Sequence, residues 1–268
     1  MWIHFALFST LLLPAALLGL RGRAGRRGSP VLLGVAFVAF VAFSSLRAVS
    51  VGNDTVEYHR VFKAIAATDS FQEALSVSRF ESGYVLVNYL VSRLTQDFNL
   101  LLLITSVFVY GSAVLFIKRY AASYSLALLF AFGMSVFYDL MLAVRQGIAV
   151  AIFLLAVPAL MERKLVRYVL LVVLASQFHV SVLLMLVVYL IPYMRLSTFG
   201  DWFKWGALIG IVMFSLSWLL TRLLVSSAYY GHYLHSDYAD GGVRSATVLL
   251  IVTRIILMLL AATCGWNA

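Results

Sequence analysis

The rhythm of charge along this chain constrains its fold more than any other feature. Short clusters of Arg and Lys punctuate apolar runs of about 20 residues, the length that carries a helix through a bilayer. Hydrophobic residues make up 63% of the chain and charged residues 12%, where a soluble domain carries about twice that charge; mean hydropathy is +0.98. The expected fold class is all-α, a polytopic integral membrane helical bundle of about seven to nine membrane segments, some short and re-entrant or broken. No repeat, low-complexity tract or Pro/Ser-rich linker divides the chain, so residues 1–268 read as a single transmembrane domain. A lone Cys264 permits no internal disulfide and leaves the redox compartment open.

Topology follows from the cations. Trp2 to Leu20 is an apolar stretch followed, rather than preceded, by the cluster Arg21, Arg23, Arg26 and Arg27. That order reverses a cleavable signal and predicts an uncleaved helix with its N-terminus outside and the Arg cluster in the cytoplasm. Val31 to Val49 then returns outward into a mixed acidic segment at about residues 50–82. Lys118 and Arg119, and then Arg163, Lys164 and Arg167, mark two more cytoplasmic turns, with Asp139 to Arg145 outside. Gly83 to Gln96 is too short for a full pass and is expected to be re-entrant or interfacial. Val166 to Tyr193 is interrupted by Gln177, His179 and Ser181 and fits one tilted span or two half-helices; the expectation is two, meeting near His179. Phe203 to Val225 then runs outward, the loop YYGHYLHSDYADGGVR lies outside, and Thr247 to Ala262 returns.

Against this apolar background a few polar residues stand out, because charge within a membrane is costly and commonly marks function. Asp54 and Glu57 look like a helix start, with Asp54 capping free N–H groups; Asp54 and Tyr58 also share a face at i and i+4. Glu81, Tyr84, Asn88 and Ser92 recur at helical spacing as a polar stripe, which suits either an aqueous cavity or the wetted face of a surface-lying helix. Arg145 and Gln146 open a long apolar helix, where Arg145 either snorkels to the interface or faces the bundle as a fork of donors for a phosphate. His179 lies deep in an apolar run, either as a hydrogen-bonded packing residue or as a reactive group. The rings of the loop at 229–240, with Asp237 and Asp240, suit sugar stacking or an interfacial aromatic belt.

Taken in order, GNDTVEYHRVF, ESGY, RQGIA and ASQFHVS resemble the EpsG family of Wzy-like bacterial exopolysaccharide polymerases over roughly residues 50–195. Each motif is short; their order within a basic-loop bundle carries the resemblance. It implies a glycosyltransferase of the inner membrane that joins oligosaccharide repeat units, carried on polyprenyl diphosphate, at the periplasmic face. The matching positions are Asp54, Glu81, Arg145 and His179. Members of that family usually continue through another pair of spans, so the ending TCGWNA is expected to mark a truncated or short member. A flippase and a chain-length regulator are the protein partners implied.

A glycosyl diphosphate already contains its leaving group, so catalysis needs alignment and stabilisation of departing charge, with no cofactor or metal expected. Arg145, aided by Arg60 or Arg244, is the expected diphosphate ligand; Tyr58, Tyr84, Asn88 and Gln146 are expected to hold sugar or phosphate. Asp54, Glu81 and His179 remain alternatives for the base. The net charge of +9 carries meaning only once it is divided between the two sides of the membrane, and no nucleic-acid partner is expected. The competing reading is a transporter or flippase for lipid-linked oligosaccharide, which broken helices with internal charges also describe. An acyltransferase would place its polar residues on the cytoplasmic side, and a scaffold would tolerate alanine at all four.

Overall fold

The computed structural model describes residues 28–52, 54–194, 198–225 and 252. Among them the chain forms α1 (Pro30–Ser45), α2 (Thr55–Ala66), α3 (Phe71–Val77), α4 (Ser82–Ser92), α5 (Phe98–Tyr120), α6 (Tyr124–Gly133), α7 (Val136–Leu142), α8 (Val144–Met161), α9 (Leu165–Ser176), a 3₁₀ helix η1 (Val180–Tyr193) and α10 (Phe199–Val225), with no strand. The expected first span, the Arg21 to Arg27 cluster, the aromatic loop and the final span fall outside the described residues.

Local chemistry starts and stops these helices. Ser29 caps α1 by accepting from the Val31 N–H at 3.3 Å, with Pro30 preset for the first turn. Asp97 caps α5 through the Asn99 N–H at 2.9 Å, and Lys118 and Arg119 complement its C-terminal dipole. α5 and α8 are each long and apolar enough to cross a membrane, at 23 and 18 residues. Buried Ala149, Ala151, Ala156 and Ala159 on α8 let its neighbours approach closely. On the outside, Val31, Val38, Phe108 and Leu115 are exposed apolar side chains, the inverse of a water-soluble surface.

The ends of the bundle alternate as the cations predict. α5 runs from a first end, where Phe98 packs on Phe62, to a second end at Lys118 and Arg119. α6 and α7 return to the first end, but not as one straight helix: the pair bends by 60° at a left-handed Ser135 with φ 60°. α8 goes back to the second end. α9 then turns toward the first end and η1 returns beside it, because Arg163 donates to the Pro192 carbonyl at 2.9 Å and the Tyr189 hydroxyl donates to the Arg163 carbonyl at 2.7 Å. The stretch is therefore two half-helices forming a hairpin whose tip carries His179, as its polar interruption predicts. Fourteen residues of 3₁₀ helix are unusual, since such runs are generally short.

At the first end, α2, α3 and α4 make a cap over the bundle. α2 buries Tyr58, Val61, Phe62 and Ile65 and leaves Arg60 and Lys63 outside. α4 has only 11 residues, too few to span. Its C-terminal neighbour Arg93 donates to the Ile65 and Ala66 carbonyls, each at 3.2 Å, closing the end of α2.

Candidate functional site

The site forms where the cap meets the hairpin tip. Glu81 is the residue before α4, Arg145 the second residue of α8 and His179 the residue before η1, so three helix N-termini converge. Arg145 Nη1 donates to Glu81 Oε2 at 2.5 Å. The other carboxylate oxygen accepts from the Val180 N–H at 3.3 Å and lies 3.9 Å from His179 Nδ1. One carboxylate thus joins segments 64 and 99 residues away in sequence. The Arg145 guanidinium also lies over the Phe80 ring, 4.1 Å from its centroid.

The pair is nearly dry: the side chains of Arg145 and Glu81 are 12% and 10% exposed. At this burial the desolvation of each ion is large, and only the partner and added hydrogen bonds offset it. Arg145 therefore does not snorkel; it turns inward, and its Nε and His179 Nδ1 have no hydrogen-bond partner.

Backbone contact sets the spacing. The Gly83 N–H donates to the Gln177 carbonyl at 2.9 Å and the Ser82 hydroxyl to Gln177 Oε1 at 2.9 Å. A Cβ on Gly83 would stand 2.7 Å from that carbonyl oxygen. Gly83→Ala is therefore expected to push α4 off the hairpin tip and to separate Glu81 from His179, lowering the unfolding midpoint; at this contact Ala costs more than its mild helix preference returns. A midpoint equal to wild type, measured by heating in detergent, would contradict the close contact.

The polar stripe of α4 corrects one expectation. Tyr84 and Asn88 are fully buried and Ser92 is 5% exposed, while Leu86 and Leu90 face outward. The stripe is thus neither a wetted surface face nor the wall of a large aqueous cavity: it packs inward. Asn88 Nδ2 donates to the Tyr84 carbonyl at 2.7 Å, yet the Tyr84 hydroxyl and Asn88 Oδ1 stay unpartnered. Tyr58 packs edge-on against Tyr84 with ring centroids 5.7 Å apart, and burial pushes its hydroxyl up to about 12, so it is a neutral donor at neutral pH.

Sequence reasoning missed one member. Arg47, just past α1, is 7% exposed and donates through Nη1 to the Ser44 carbonyl at 2.7 Å and hydroxyl at 3.1 Å; Ser44 in turn accepts from the Ser106 hydroxyl of α5 at 2.7 Å. Its Nε and Nη2 have no hydrogen-bond partner, and its charge lies within electrostatic reach of Tyr110 first, then of Tyr84 and Tyr58. The available signal was an arginine one turn after a serine at the edge of an apolar stretch, which reads equally as a snorkelling end residue.

Other expected members stand apart. Asp54 precedes α2 but its carboxylate makes no capping bond; it is exposed, within electrostatic reach of Tyr58. Arg60 is outside the site, bound through Nε and Nη2 to Glu57 at 2.8 and 2.7 Å on the exposed face of α2. Gln146 is exposed beside Arg145, and Arg244 lies outside the described residues. Among the described residues no group of three His, Cys, Asp or Glu side chains is placed to hold a metal ion.

A model of the EpsG family matches residues 31–265. No curated protein and no solved structure matches the chain.

Proposed function

The chain belongs to the EpsG family, a membrane protein of exopolysaccharide biosynthesis, and from that premise we propose that it is a metal-independent polysaccharide polymerase. Its substrate would be an oligosaccharide repeat unit on polyprenyl diphosphate, used at the periplasmic face of the inner membrane, with the N-terminus outside. The observation that carries this reading is the convergence of Glu81, Arg145 and His179 at three helix N-termini, with the buried Tyr58 and Tyr84 in electrostatic reach of Arg145 and also of the Arg47 charge. Converging N-termini and excess cationic donors favour an anion. Two arginines against one carboxylate leave positive charge for a diphosphate.

In the reaction the acceptor hydroxyl oxygen bonds to the anomeric carbon, the bond from that carbon to the diphosphate oxygen breaks, and polyprenyl diphosphate leaves with the electron pair. The hydroxyl proton passes to a base. Both Glu81 oxygens are engaged, by Arg145 and by the Val180 N–H, so Glu81 serves as the organiser. His179 Nδ1 is unpartnered, which suits it to take the proton; Asp54, exposed near Tyr58, then suits acceptor-sugar binding. Arg145 Nε and the free nitrogens of Arg47 stabilise the departing charge.

The test is polymerisation in liposomes with a polyprenyl-diphosphate oligosaccharide. Wild type is expected to build a product ladder, His179→Ala to lose about 10²–10⁴-fold, the range for a positioned base, and Asp54→Asn to raise the acceptor concentration needed. Movement of the donor across the bilayer without joining would replace this reading with a flippase, the second reading that the hairpin with its internal charges supports.

A further inference from the structure

At the end of the bundle opposite the site, α5 and α9, each packed on α8, leave between them a cleft of about 1280 Å³. Its wall is apolar, from Leu115 and Phe116 of α5, Leu154 and Leu155 of α8, and Leu165 and Leu170 of α9. Its mouth carries Lys118, Arg119, Lys164 and Arg167 and no acidic lining residue. Among the described residues Glu162 pairs with Lys164 at 2.7 Å and also lies within electrostatic reach of Arg167 and Arg119, so one carboxylate faces four cations and the mouth keeps a net positive charge. Arg163 takes no part, because it closes the hairpin base on Pro192.

An apolar slot that runs along membrane-spanning helices and ends in fixed positive charge has the profile of a lipid: acyl chains below, phosphate above. A zwitterionic headgroup would bring its own cation against Lys118, Arg119 and Arg167; an anionic one would not. Because Lys118 and Arg119 stand on α5 and Arg167 on α9, with Lys164 just before it, one bridging anion would also tie α5 to the hairpin that carries His179.

We infer that this cleft is a binding site for an anionic phospholipid, with the phosphate held by Lys118, Arg119 and Arg167 and an acyl chain between Leu155 and Leu170. The site is separate from the Glu81 centre, since α5 alone separates the two ends by about 35 Å at 1.5 Å per residue, and it does not depend on the polymerase reading.

The test is thermal unfolding of the purified full chain in mild detergent, titrated separately with phosphatidylglycerol, phosphatidylcholine and polyprenyl phosphate. Phosphatidylglycerol is expected to raise the midpoint saturably and phosphatidylcholine to leave it unchanged, because a ligand bound only by the folded state stabilises it. Removing three surface cations as K118Q/R119Q/R167Q should weaken the apparent affinity by about fivefold per cation, roughly 100-fold together. Leu155→Trp fills the slot from an exposed position and should abolish the lipid response while leaving the lipid-free midpoint unchanged. An equal response to phosphatidylcholine would overturn the inference, as would wild-type affinity in the triple variant. Preference for polyprenyl phosphate at the same residues would overturn the identity of the lipid.

Discussion

Arg145→Ala is expected to abolish polymerisation, by about 10³-fold or more if its guanidinium stabilises the leaving diphosphate, and to destabilise the fold by about 3–5 kcal/mol, the cost of leaving a buried carboxylate unpaired. The second effect complicates the first, since Glu81 would remain 10% exposed without its ion partner. The double replacement of Glu81 and Arg145 by Gln separates them. Two neutral amides of similar size keep a hydrogen bond and remove both charges, so stability should return to within about 1–2 kcal/mol of wild type. Activity should not return, because the cation and the organised η1 terminus are both lost. Unfolding midpoints and product ladders from the same preparations decide the matter: if the double variant polymerises like wild type, the pair is structural only and the proposed chemistry at Arg145 fails.

Arg145→Lys sharpens the same point. A lysine keeps the charge but presents a single ammonium in place of a fork, and it must span the distance to Glu81 from a helix whose position Gly147 fixes: a Cβ there would stand 2.8 Å from the Leu140 carbonyl oxygen. The backbone cannot move to meet the shorter group, so partial stability with little activity is the expected outcome.

Which features could be read before the fold was known follows from the range of the physics involved. Membrane class and the alternation of ends rest on hydropathy and on cation clusters, both local properties; Lys118, Arg119 and Arg163 to Arg167 do lie at one end. The break at His179 was legible because Gln177 and Ser181 interrupt a run that is otherwise apolar. The bend at Ser135 was not, because a left-handed residue between Met134 and Val136 leaves no Gly or Pro in its place. Within the site, Glu81, Arg145 and His179 were identifiable as charges out of context, yet their mutual bonds span 64 to 99 residues and no periodicity encodes them. Helical spacing placed Tyr84 and Asn88 on one face of α4 but could not say whether water or protein covers it. Arg60 shows the converse error: it sits in a motif but points away, held by Glu57.

Arg47 offers the second large effect, and one whose two readouts should move in opposite directions. A guanidinium 7% exposed with two unpartnered nitrogens is a cost to the fold in the absence of a ligand. Methionine matches its stem, packs against the Tyr84 and Tyr110 neighbourhood and carries no charge to desolvate. Arg47→Met should therefore stabilise the protein by about 1–4 kcal/mol, as replacing buried ions with apolar residues of similar volume does elsewhere. If the free nitrogens hold a phosphate oxygen of the lipid donor, the same variant should lose about 10–100-fold in polymerisation, the worth of a hydrogen bond to a charged group. Gain in stability with loss of activity is the signature of a residue kept for its ligand. Loss of both would make Arg47 a structural strut for Ser44 and Ser106, and gain without loss would leave Arg145 as the sole cation for the diphosphate.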